Sequence, residues 1–260
     1  MIYDFGANVG SNLGYYLSKE RVVAVEANPR LCETMSREFA DEIRSARLTI
    51  LNVALAEREQ DQHVTFYVHR KNHLLSQLPR PSNIEDFDAI NVPARTPASI
   101  VREHGEPTYI KIDLEHFDGP VLENLFAAGI VPPEISAEAH SVETFARLVV
   151  AGYRSFSLVE GATVTKLGFP EHSAGPFGRD IKGRWEDPDT FLHTLASRGL
   201  GWKDIHASRV IDPAPTPSGS VLAARHIAAL SERAVRRLRA ALTNRFRGTR
   251  KANNKDGLCS

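Results

Sequence analysis

The chain has 260 residues, 42% of them hydrophobic, and its 32 Lys/Arg balance its 32 Asp/Glu. That length suits one large α/β domain with an appendage, and the two cysteines, Cys32 and Cys259, exclude a disulfide framework or a multi-cysteine zinc site. Charge is unevenly spread: residues 221–260 hold ten Lys/Arg against two Asp/Glu and residues 1–220 hold 22 against 30, so the body lacks the basic footprint of a nucleic-acid enzyme.

No run approaches the ~18 apolar residues of a membrane span. No leader precedes the first apolar run, so the expected location is cytoplasmic. Met1 abuts that run directly, which points to a trimmed domain or a misassigned start.

The first element is Ile2 to Phe5, a short buried strand with Asp4 near its end. Gly6 and Gly10 bracket a tight turn, and Asn12 to Lys19 read as a helix. Strand, glycine turn and helix N-terminus together make a nucleotide cradle. Glycine allows a backbone approach to a ligand that any Cβ would block. The dinucleotide pattern G-x-G-x-x-G is absent, because Asn8 stands two after Gly6. A pyrophosphate would meet that side chain. The loop therefore favours a nucleoside without phosphates, such as S-adenosylmethionine (SAM).

Strand and helix then alternate. Arg21 to Ala27 is nearly all apolar, as in a strand buried on both faces. Asn28-Pro29 ends it and starts a helix over residues 30–40. Leu48 to Val53 reads as the third strand and His63 to Val68 as a strand at an edge. Residues 69–98 carry Pro79, Pro81, Pro93 and Pro97 and read as an irregular excursion. Pro97 opens a short helix to His104. Tyr109 to Leu114 is the fourth main strand. A helix runs from Asp118 to Ala128 and stops at Gly129. Glu134 to His140 is the fifth strand, Val142 to Ala151 a helix, and Tyr153 to Val159 a sixth strand. Such alternation predicts a parallel α/β sheet with right-handed crossovers.

Ligands of such sheets bind at the carboxyl ends of the strands. Glu26 ends the second strand twenty residues after Gly6, a spacing that suits a carboxylate accepting both ribose hydroxyls. The alternative is a solvated strand-end acid. Asp4 could orient the turn or the ligand's amino group. Lys111, Asp113 and Glu115 alternate, which puts three charges on one face of a central strand. That arrangement is costly unless paired or functional.

Four stretches recur in order: Asp4-Phe-Gly-Ala-Asn-Val-Gly-Ser-Asn12, Val25-Glu-Ala-Asn-Pro29, Asn52-Val-Ala-Leu-Ala-Glu57 and Ile110-Lys-Ile-Asp-Leu-Glu115. Together they make residues 1–160 resemble the FkbM-type SAM-dependent methyltransferases. The resemblance implies a class I methyltransferase fold: a doubly wound, mostly parallel seven-stranded sheet with helices on both faces. It also implies methyl transfer to a hydroxyl of a sugar or related secondary metabolite. By the same resemblance the loop Gly6, Asn8, Gly10 faces the methionine part of SAM and Glu26 the ribose. Asn52 and Ala54 would lie near the adenine, and Asp113 near the transferred methyl. One departure is His116 after Glu115, where the family more often has glycine. A side chain there narrows the acceptor's approach.

The sulfonium already activates the methyl, so positioning supplies most of the rate. A general base would help a hydroxyl acceptor. The candidates are Asp113, Glu138, His140 and His206. Asp113 and His140 are the two assigned, His140 because it ends the fifth strand at the ligand edge and titrates near neutral pH. Two other readings stand beside this one. Asn8 weighs against an NAD-dependent sugar dehydrogenase, and a non-catalytic nucleoside-binding protein is the third.

Residues 172–207 mix Gly, Pro, aromatic and charged residues and read as an acceptor-side cap completing a domain over residues 1–210. Phe177 and Trp185 could stack on a sugar, with Asp180 and Asp204 accepting from its hydroxyls. A metal site from His172, Asp180 and His206 lacks diagnostic spacing, and no metal is expected. Residues 211–220 are a Pro/Ser/Gly linker. Residues 221–250 form a basic amphipathic helix, with Ile227, Leu230, Ala234, Leu238 and Ala241 on one face and Arg233, Arg236 and Arg239 on the other. It would contact an anionic membrane peripherally or dock on an acidic partner or body. Residues 251–260 are expected to be disordered.

Overall fold

A computed structural model of the chain describes residues 1–170 and 173–215. The linker from residue 216, the basic helix, the tail and His172 lie outside the described residues. Among the described residues two units are present: Met1–Pro188 with Leu200–Ala214, and Asp189–Gly199 with Pro215.

The first unit opens with β1 (Ile2–Phe5), all four residues of which are buried. The glycine turn leads into α1 (Leu13–Leu17), then β2 (Val22–Val25). Asn28 caps the next helix by accepting from the Arg30 amide, with Pro29 in its first turn. That helix is α2 (Pro29–Glu38), followed by α3 (Ala40–Arg44), β3 (Leu48–Leu51) and the two-residue β4 (Ala54–Leu55). Next come β5 (His63–His69), β6 (Phe87–Arg95), α4 (Pro97–His104) and β7 (Tyr109–Ile112). The unit continues through α5 (Asp118–Ala127), β8 (Glu134–Glu138), α6 (Val142–Val150), β9 (Ser155–Glu160) and α7 (Gly161–Lys166). It closes with β10 (Lys203–Ser208). The second unit contributes, from Asp189 on, most of α8 (Pro188–Arg198).

The main sheet has seven strands in the order β3-β2-β1-β7-β8-β10-β9. All run parallel except β10, which is antiparallel to β8 and β9. This is the doubly wound class I methyltransferase sheet. Successive connections reverse direction between β1 and β7, the switch point at which such sheets bind ligands. The register sets Phe5 beside both Val25 and Ile112. The residues just beyond, Gly6, Glu26 and Asp113, therefore emerge side by side at one edge. Below them Ile2, Leu13, Tyr16, Val22, Met35 and Tyr109 form a buried cluster that fixes β1 and α1.

Three expectations change. His63–Val68 is an edge strand as expected, but of a separate three-stranded sheet ordered β4-β6-β5. Residues 69–98 are an irregular excursion only as far as residue 86, since Phe87–Pro93 pairs with the whole of β5. Residues 172–207 are not purely a cap. Their end, Lys203–Ser208, inserts between β8 and β9 as the seventh strand.

Candidate active site

The carboxyl ends of β1, β2, β7 and β8 surround a cavity of about 390 Å³. Phe66 and the segment from Asn72 to Leu78, from the smaller sheet and its β5–β6 connection, wall one side. Trp202 and Phe117 also line it.

On the β2 side stands Glu26, 7% exposed. Its Oε2 accepts from the Asn8 amide at 2.9 Å and its Oε1 from the Asn28 amide at 2.7 Å. Each carboxylate oxygen retains acceptor capacity for a ligand hydroxyl. Burial raises the Glu26 pKa, and the two amide bonds oppose that rise. Asn8 takes the left-handed conformation (φ 53°), and its buried Oδ1 has no partner. Both Asn8 and Ala54 line the cavity. Asn52 does not. Its side-chain amide donates to the carbonyls of Glu26 and Ala27, both at 3.0 Å, and so braces the turn that presents Glu26.

Gly6 lines the cavity, and both glycines also serve packing. A Cβ on Gly6 (φ 87°) would run into the carbonyl oxygen of Asp113, and one on Gly10 (φ 79°) would lie 2.9 Å from Leu13 Cδ1 and 3.1 Å from Met35 Cγ. Gly6 lets β1 and β7 leave the sheet together. Gly10 lets the loop pack on α1 and α2 and does not line the cavity.

Asp4 is fully buried and does not line the cavity either. It is 3.5 Å from Lys111 Nζ, which also lies 3.0 Å from Asp113 Oδ2. Burial works against the charge on Lys111, but Asp113, Asp4 and Asp204 outweigh it and raise its pKa. Asp4 is thus part of an ion-pair support beneath the loop.

Beyond β7 the sequence-level alternation fails. The strand ends at Ile112, and Glu115 and His116 both take left-handed conformations (φ 46° and 75°). This reversal turns Glu115 toward β8, so it no longer shares a strand face with Lys111. Asp118 holds the reversal, accepting from the amides of Leu114 and Glu138 at 3.0 Å each. Glu115, Glu138 and His140 then present ligand atoms that all lie within 4.8 Å of one another. All three line the cavity with Asp113. Burial, then Asp113, raises the Glu115 pKa to about 7. Burial, with Asp113, Asp118 and Asp204, raises that of Glu138. Burial, then His116, lowers that of His140. Residues on two strand ends thus converge at a place other than the His172, Asp180 and His206 grouping considered from sequence.

Other candidates lie elsewhere. His206 is 1% exposed in β10, stacked 6.4 Å from Tyr109, and does not line the cavity. Phe177 stacks on Tyr109 at 4.0 Å within the core rather than offering a face to a sugar. Trp185 packs with Val159, Val164 and Ile181. Asp180 binds Lys19 at 2.7 Å and accepts from the Tyr15 hydroxyl at 2.8 Å.

The sequence profile of the methyltransferase FkbM domain matches residues 4–157. The chain belongs to the FkbM methyltransferase family. The cofactor of this FkbM chain is S-adenosyl-L-methionine. Among solved structures it is similar to a methyltransferase FkbM from Methylobacillus flagellatus, at 18% identity and a TM-score of 0.42. The match covers 61% of this chain and only 39% of that one. It is also similar to a precorrin-6y methyltransferase from Geobacter metallireducens (11% identity, TM-score 0.36, 79% and 77% covered). A SAM-dependent methyltransferase from Aquifex aeolicus matches at 12% identity and a TM-score of 0.33, with 79% of each chain covered. No curated protein sequence matches the chain. The residues fit the cofactor: Glu26 has acceptor capacity to spare, Asn8 Oδ1 is buried without a partner, and Val25, Ala54, Leu55 and Phe66 give the cavity an apolar wall.

Proposed function

We propose that this FkbM protein transfers a methyl group from S-adenosyl-L-methionine to a hydroxyl oxygen of a glycan or related secondary metabolite. The observation that carries the reading is the convergence of Asp113, Glu115, Glu138 and His140 on the cavity, across β1 from Glu26. A nucleoside binder has use for Glu26 alone. Proton-accepting groups across β1 suit an acceptor that must lose a proton.

Glu26 would accept from the ribose hydroxyls, Ala54, Leu55 and Phe66 would enclose the base, and Asn8 would take a donor of the amino-acid part. When bound, S-adenosyl-L-methionine supplies a methyl group already activated by its sulfonium. The chain's work is then to hold the acceptor in line and remove its proton. His140 does the latter. Burial and His116 favour its neutral imidazole, the form that can take up a proton at neutral pH. Exposed Leu75 and Trp202, 45% and 59% exposed, give the acceptor an apolar rim.

The test is incorporation of labelled methyl from SAM across a panel of glycans and hydroxylated metabolites. We expect label on an acceptor oxygen. His140→Gln should slow transfer by about 10²–10⁴-fold at unchanged SAM affinity. Label on nitrogen or carbon, or full activity in His140→Gln, would contradict the assignment.

A further inference from the structure

We propose that Glu115, Glu138 and His140 form a binding site for a divalent transition-metal ion, of which Mn²⁺ is the best-matched probe. Three observations carry it. The three ligand atoms lie mutually within 4.8 Å, close enough for one ion to bridge them. The Glu138 side chain is 7% exposed, yet its Oε2 has no hydrogen-bond partner. His140 Nδ1, 3.3 Å from that oxygen, is also buried and without a hydrogen bond. A carboxylate oxygen and an imidazole nitrogen facing each other at that distance must share either a proton or a cation, and the third ligand atom, from Glu115, favours a cation. Lys111 is not available, being engaged with Asp4 and Asp113.

The surroundings build the site. Asp118 uses both oxygens on the backbone amides of Leu114 and Glu138. It is therefore a positioning residue that fixes the strand end carrying Glu138 and the reversal carrying Glu115. Outer hydrogen bonds of this kind orient metal ligands. Glu115 approaches from β7, Glu138 and His140 from β8, and the cavity leaves the remaining coordination positions open. Two carboxylates and one imidazole favour Mn²⁺ or Zn²⁺ over Mg²⁺, which prefers an all-oxygen octahedron.

The ion's role rests on the methyl-transfer reading, though its binding does not. A coordinated acceptor hydroxyl becomes more acidic. With the ion bound His140 is a ligand, so the base role given to it above applies to the ion-free site.

The experiment is calorimetric titration of chelator-treated full-length protein with MnCl₂, then ZnCl₂, with SAM titrated separately. We expect one Mn²⁺ per chain. Glu138→Gln and, independently, Glu115→Gln should each weaken it at least tenfold while SAM affinity stays the same. Glu115 is only partly buried, so its variant decides the matter if Glu138→Gln does not fold. No binding of either ion up to millimolar concentration, or unchanged affinity in the folded variants, overturns the site and indicates a proton shared between Glu138 and His140. Retained SAM binding in that case leaves the cofactor reading standing. Loss of SAM binding with intact Mn²⁺ binding would do the reverse.

Discussion

Asp4 and Lys111 are register partners on β1 and β7, and their charged groups meet at 3.5 Å with side chains only 0% and 3% exposed. Lys111 continues to Asp113 at 3.0 Å, so one buried cation joins a fully buried acid to one at the cavity. The pair ties the two central strands together just where the cofactor loop leaves the sheet.

Removing the cation should therefore cost more than a surface ion pair. Lys111→Met is expected to destabilise the fold by about 3–5 kcal/mol, because Asp4 is left buried and uncompensated. Adding Asp4→Asn should recover much of that loss. Chemical denaturation of the three proteins checks this. A double variant no more stable than Lys111→Met alone would show that Asp4 is not the group Lys111 neutralises.

Gly6 and Gly14 make opposite predictions. Gly6→Ala places a Cβ against the Asp113 carbonyl at φ 87° and should lower stability by at least about 1–3 kcal/mol. Gly14→Ala lies in α1, with nothing within 4 Å of the added Cβ. It should stabilise by up to about 1 kcal/mol. Thermal melts of both variants read the difference, and equal effects would refute the packing explanation of the loop.

His206 gives the fold a pH dependence. Burial lowers its pKa to about 3, against ~6.5 in an unfolded chain. Below ~6.5 the unfolded chain gains a proton that the folded one refuses. The stability held by neutral His206 is thus complete above that pH and is lost as pH falls toward 3. His206→Phe should flatten this loss by up to about 1.4 kcal/mol per pH unit. Glu138 and Asp204, with raised pKa values, contribute in the opposite direction, but equally in both proteins. Parallel stability–pH curves for the two would contradict the assignment.

The central strands were legible because each is buried on both faces and reads as an apolar run: Ile2–Phe5, Val22–Val25 and Tyr109–Ile112 show it plainly. Glu26 was legible from its place after such a run. The seventh strand was not, because Lys203–Ser208 carries Lys203, Asp204, His206 and Ser208 among six residues. Its buried polar groups imitate a solvated loop. Pro93 hid Phe87–Arg95 in the same way, since a proline argues against strand interior. It is accommodated where it sits opposite His63, at the end of β5. The acid–histidine set was half legible. Strand-end placement gave Glu138 and His140, but Glu115 joins them only through two consecutive left-handed residues that no periodicity reveals.

The central claim, that the cavity holds S-adenosyl-L-methionine with Glu26 as its ribose acceptor, is tested most directly by calorimetric titration of SAM into wild-type protein and Glu26→Ala. Buried hydroxyls left without a partner cost about 1–3 kcal/mol. The account thus predicts 1:1 binding to wild type and an affinity weakened about 5- to 150-fold in the variant, with the fold retained by circular dichroism. Equal affinity in the two proteins, or no binding by wild type, would contradict it.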